Sequence, residues 1–170
     1  MDVGRYAPAG AYGKGGMLRD GISDAAALRV ALEQARIGLG EGGIPIGAAL
    51  VVDGAVLAAG RNRRVQLGSA IRHGETDALQ NAGRLPAAVY GRATMVTTLS
   101  PCSMCTGAVL LYGIPRVVIG ENRSFRGDED LLRRRGVEVV VLDDADCITL
   151  MTAFIRDRPS LWNEDIGVVD

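Results

Sequence analysis

At 170 residues, with 48% apolar and 23% charged side chains, the chain has the size and balance of one globular domain able to bury its own core. Its formal net charge of −1 supplies no basic field that would draw it to nucleic acid. No apolar run suits a membrane span and no secretory leader is expected. Three cysteines, an odd number, make no disulfide framework, so a reducing cytoplasm is the expected location.

Residues 1–16 are glycine-rich and aperiodic, and read as a flexible N-terminal arm before a single domain over 17–170. The spacing predicts a helix from Ser23, with Ser23 as cap and Asp24 in its first turn. Ala25, Leu28, Leu32, Ala35 and Leu39 form its inner stripe, and Arg29, Glu33 and Arg36 a solvated face. Gly40 and the Gly42-Gly43 pair stop it. Asp53-Gly54 between the apolar runs Ile46 to Val52 and Ala55 to Gly60 marks a hairpin. Arg61 to Ser69 is polar and reads as loop. A helix from His73 to about Asn81 follows, then a buried strand from Ala93 to Leu99.

Ser100 and Pro101 read as cap and first position of the next helix, which carries Cys102 and Cys105 in its first turns and ends at Gly113. Pro115 to Gly120 and Val137 to Leu142 are valine-rich strands with a short helix, Asp128 to Arg135, between them. A last helix, Asp144 to Arg156, turns Ile148, Met151 and Ile155 inward. Pro159 breaks it before a tail, residues 159–170, that holds the only tryptophan. The order gives an α/β fold: a three-layer α/β/α sandwich on a mixed five-stranded sheet, a hairpin followed by parallel strands.

The chemistry gathers in His73-Gly74-Glu75 and Pro101-Cys102-Ser103-Met104-Cys105. His73 is the only histidine, and Cys102 and Cys105 stand one helical turn apart. One imidazole and two thiolates suit Zn2+ and leave its fourth position open, as catalytic sites do. A helix start favours thiolate over thiol. Glu75 is too close to His73 in sequence to be a comfortable fourth ligand. It is well placed to take a proton from an activated water and return it to a leaving amine. H-x-E followed by P-C-x-x-C is the zinc deaminase pattern. A redox C-x-x-C would leave His73 and Glu75 without a task. A structural zinc needs four protein ligands, and Cys147, beyond two further strands, reads as core.

Further motifs are Gly43-Ile44-Pro45-Ile46-Gly47, Asn81-Ala82-Gly83-Arg84, the block from Thr97 to Arg116, Gly120-Glu121-Asn122, and a close of Arg158-Pro159, Trp162 and Glu164-Asp165-Ile166-Gly167. On these the chain resembles the fungal-type cytosine deaminases of the cytidine deaminase superfamily, from about Gly42 to Gly167. The resemblance implies zinc-dependent hydrolytic deamination of a free nucleobase, cytosine first, by a homodimer. It also implies that Asn62 binds the pyrimidine carbonyl edge and that Ile46 and Leu99 line the pocket. Phe125 and Trp162 would close over the base, and Asp165 would bind its exocyclic amine. The backbone of Gly74 is expected to orient the substrate.

Three departures stand out. Ser103 replaces an aspartate, Thr76-Asp77 a less acidic pair, and Asn163 an aromatic beside Trp162. They keep another amino-heterocycle (isoguanine, a triazine, guanine or a pterin) as an alternative substrate. A tRNA adenosine deaminase usually carries alanine between the histidine and glutamate and has a basic surface, and this chain shows neither. A zinc-binding module without turnover would give Glu75 no function. The expected partner is thus a small nucleobase, with no nucleic acid and no membrane.

Overall fold

The computed structural model describes residues 21–169; the expected arm, 1–16, lies outside them. The helices are α1 (Asp24–Gly40), α2 (Arg64–Leu67), α3 (Gly74–Ala82), α4 (Ala87–Tyr90), α5 (Ser103–Tyr112), α6 (Glu129–Arg134), α7 (Ala145–Asp157) and α8 (Pro159–Asp165). The strands are β1 (Gly47–Val52), β2 (Ala55–Arg61), β3 (Ala93–Leu99), β4 (Arg116–Glu121) and β5 (Glu138–Val141). They form one sheet in the order β2-β1-β3-β4-β5. β1 runs antiparallel to β2 and β3, while β4 is parallel to β3 and β5.

Strand alternation sorts side chains to two faces. Leu50, Met95, Val117 and Ile119 meet α3, α5 and α6 through Leu79, Val109 and Leu132. Ala49, Val51, Val96 and Val118 meet α1 and α7 through Leu28, Leu32 and Cys147. The result is the three-layer sandwich on a mixed five-stranded sheet. A third cluster joins Ile46 and Leu99, at the end of the sheet, to Met151 and Phe154 of α7 and Trp162 of α8. That end carries the site.

Local chemistry explains most boundaries. The Ser23 hydroxyl accepts the Ala26 N–H at 3.2 Å, and Asp24 reaches across to Arg116 at 2.7 and 2.8 Å. Asp53 and Gly54 have φ of 51° and 79°, the left-handed pair a two-residue hairpin turn requires. Other expectations are corrected. Ala25 is exposed, and Ala27 and Ala31 take the buried face instead. On α7 the buried stripe is Cys147, Met151 and Phe154, one step round from the expected set. The polar stretch after Arg61 contains the single turn α2, and α4 was not foreseen. Part of the tail after Pro159 is helical, as α8, because Pro159 occupies its first turn, where a missing N–H costs nothing.

α5 starts two residues later than expected, with Cys102 as N-cap. The Ser100 hydroxyl cannot cap it, being engaged with Glu129 at 2.8 Å and with the Gly127 N–H at 3.0 Å.

Gly60 allows α3 to seat on β2: a Cβ there would collide with the backbone nitrogen of Ala78. Gly60→Ala is expected to cost about 1–3 kcal/mol in urea unfolding, as overpacking does. A native midpoint would show that α3 can shift freely.

Candidate active site

Two helix starts on the same face of the sheet bring the ligands together. His73 is the N-cap of α3, in extended conformation; Cys102 is the N-cap of α5, and Cys105 lies in its first turn. The ligand atoms of His73, Cys102 and Cys105 all lie within 4.8 Å of one another, and Cys102 Sγ is 3.5 Å from His73 Nδ1. His73 Nε2 faces the other way, 3.7 Å from Asp165 Oδ1. Two sulfurs and one nitrogen converge closely enough to share one ion, and this donor set fits zinc.

The electrostatics agree. The hydrogen bond from Cys105, reinforced by His73 and opposed by burial, draws the Cys102 thiol down to about 4. The same bond and burial push the Cys105 thiol well up. Burial lowers the imidazole pKa of His73, but the bond to Cys102 and the charge of Asp165 outweigh it and raise the value overall.

Glu75 is 3% exposed, and its Oε1 accepts the Thr97 hydroxyl at 3.1 Å. Burial, and then the neighbouring Cys102 sulfur, raise its carboxyl above the usual range. A carboxyl shifted in that direction can hold and release a proton nearer neutrality. Asp77, the other acid of this helix, is bound to Arg72 at 2.9 Å and to the Arg61 N–H at 3.2 Å, and does not line the cavity.

A cavity of about 20 Å³ opens on this group. His73, Glu75 and Cys102 form one wall, and Ile46, Leu99, Phe125, Trp162 and Asp165 the others; Ser100 and Ile166 complete it. Phe125 meets Trp162 edge to face, with ring centroids 5.9 Å apart and planes at 84°. Asp165 Oδ1 accepts from Asn62 Nδ2 at 3.1 Å and from Arg64 Nη1 at 2.9 Å.

Two expected contacts lie behind the cavity rather than on it. Asn62 is fully buried, with its amide nitrogen on Asp165 and its carbonyl accepting the Arg64 N–H at 3.1 Å. Gly74 packs against β1, where a Cβ would come within 3.2 Å of the Ile46 carbonyl oxygen. Sequence reasoning missed Thr97, Arg64, Ser100 and Ile166. Thr97 carried a signal, since it and Thr98 place hydroxyls in a buried strand; Arg64 lay in a stretch read as loop.

Residues 22–121 match the family described as the cytidine and deoxycytidylate deaminase zinc-binding region. The chain is 58% identical to a cytosine deaminase of Candida albicans over 147 residues, 86% of this chain and 98% of that one. It is 35% identical to a tRNA-specific adenosine deaminase of Streptococcus pyogenes over 144 residues, 76% of this chain and 87% of the relative. Its fold is shared with the guanine deaminase of Nitrosomonas europaea, at a TM-score of 0.65 and 24% identity, covering 91% and 95% of the two chains. The matched region takes in His73, Glu75, Cys102 and Cys105, and the chain belongs to the cytidine and deoxycytidylate deaminase family, as a zinc-dependent deaminase.

Proposed function

We propose that the protein hydrolyses a free nucleobase, cytosine, to uracil and ammonia. The observation that carries this reading is the small cavity with His73, Cys102 and Glu75 on one wall and the Phe125–Trp162 pair on another. The extent of identity to the Candida albicans cytosine deaminase supports cytosine as the base. Asn163, which stands where the resemblance expects an aromatic, is not among the residues that line the cavity.

The reaction adds water to C4 of the base and expels its amine. Zinc, when held by His73, Cys102 and Cys105, supplies a Lewis acid that brings the pKa of water to about 7. Glu75 takes one proton from the water and gives it to ring nitrogen N3, then takes the second from the hydroxyl added at C4 and gives it to the amine, which leaves as ammonia. Thr97 fixes the carboxylate in place for both transfers. Ile46 and Leu99 flank the ring, and the backbone of Gly74 sets its approach. Asp165 accepts the amine hydrogens. Asn62, held against Asp165 at 3.1 Å, binds the carbonyl edge.

Space for about one water is too little for a pyrimidine, so a wall must open to admit it. The wall formed by Phe125 and α8 is the lid, and its closure leaves no place for a ribose. Cytosine is therefore expected to be turned over at least about 100-fold faster than cytidine. Comparable kcat/KM for the two would contradict a closed pocket.

An open groove of about 720 Å³ beside α3, α4 and α5, with Leu111 and Tyr112 exposed on it, supports a homodimer through that face. Among the described residues no helix is long and apolar enough to cross a membrane. A site that needs free thiols suits a cytoplasmic location.

A further inference from the structure

Some buried carboxylates take no part in the reaction above. Asp77 is matched by Arg72, and Glu121 and Glu129 are buried as well. Glu129 is 1% exposed although it sits in a charged run, Arg126 to Arg135, that reads as surface. Burying a carboxylate is costly unless its oxygens are bonded. Its Oε1 accepts the Ser100 hydroxyl at 2.8 Å and Asn122 Nδ2 at 2.9 Å, and Oε2 meets Arg133 at 3.1 Å. Ser100 lines the cavity, and its oxygen also accepts the Gly127 N–H at 3.0 Å.

The same segment is held at its other end by Glu121. Its Oε2 accepts the N–H groups of Arg123 at 2.6 Å and Ser124 at 3.0 Å. The Asp128 N–H bonds the Pro101 carbonyl at 3.2 Å, and Gly127 lies so close to that carbonyl that a Cβ would collide with it. Residues 122–128, with Phe125 at their centre, are thereby pinned to the turn that carries Cys102.

We propose that Glu129 is a positioning residue for base binding: by clamping Ser100 and Asn122 together it keeps Phe125 against Trp162 and the cavity wall closed. It touches no substrate and acts through the loop. The inference rests on the reading of this cavity as the base site.

Trp162 is the only tryptophan, so its fluorescence reports the wall directly. Steady-state kinetics on cytosine and acrylamide quenching of the zinc-loaded protein are compared for Glu129→Ala, Glu129→Gln, Asn122→Ala and Arg133→Ala. Glu129→Ala and Asn122→Ala are expected to raise KM at least about fivefold, keep kcat within about twofold, and increase quenching. Glu129→Gln, whose oxygen still accepts both bonds, should restore KM and quenching to near native. Arg133→Ala, which removes the half-exposed partner of Glu129 Oε2 and keeps both Oε1 bonds, should leave both unchanged. Native KM and quenching in both alanine variants of the clamp would overturn the proposal, as would kcat and kcat/KM falling together at constant KM. Should Glu129→Ala fail to fold, Asn122→Ala, which removes a single bond, decides on the same terms. Quenching needs no turnover: an exposed Trp162 in Glu129→Ala, with a wild type inactive on cytosine, would uphold the clamp and refute the substrate.

Discussion

Glu75→Gln should keep its zinc and lose at least about 10²–10⁴-fold in kcat on cytosine, the contribution that general acid–base catalysis makes. The substitution conserves shape, and its carbonyl oxygen can still accept the Thr97 hydroxyl that holds Glu75 at 3.1 Å. What it removes is the capacity to carry a proton. The neighbouring acid cannot take over, since Asp77 is bound to Arg72 and the Arg61 backbone. Uracil formation followed by absorbance, with zinc measured on the same sample, checks both halves. Turnover near native would remove Glu75 from the proton transfers.

Cys105→Ala is expected to abolish zinc binding and activity together, taking the metal from about one per chain to near zero. Cys105 is fully buried in the first turn of α5, with His73 and Cys102 as its neighbours in the cluster. Removing its sulfur leaves two ligands, and also takes away the hydrogen bond that does most to draw the Cys102 thiol down. Cys147→Ala is the matched control. That thiol packs on the opposite face of the sheet, in the cluster of Leu28 and Val118, and burial pushes it up to about 12. It should retain full zinc. Elemental analysis after dialysis distinguishes the two, and zinc retained by Cys105→Ala would break the ligand assignment.

The site was legible in the sequence where the chemistry is local. A sole histidine, an acid two residues on and a cysteine pair one turn apart need only two helix starts on one face to converge, and the sheet supplies them. The hairpin at Asp53-Gly54 was legible for the same reason, since its φ angles follow from two adjacent residues. What the sequence hid depends on partners distant along the chain. Ser100 looks like a cap until Glu129, 29 residues away, engages its hydroxyl. Asn62 looks free until α8 delivers Asp165, 103 residues on. Glu129 itself gives no signal, because a glutamate in a charged run is ordinarily solvated. The tail after Pro159 reads as a break, yet Trp162 joining the third core cluster turns it into a helix that walls the cavity.

The most direct measurement is product formation from cytosine by protein carrying about one zinc per chain. Uracil and ammonia should appear in equal amounts, stop when a chelator removes the metal, and return when zinc is restored. Fully zinc-loaded protein that forms no uracil, or formation that continues after the metal is gone, would contradict zinc-dependent hydrolysis of cytosine at this site.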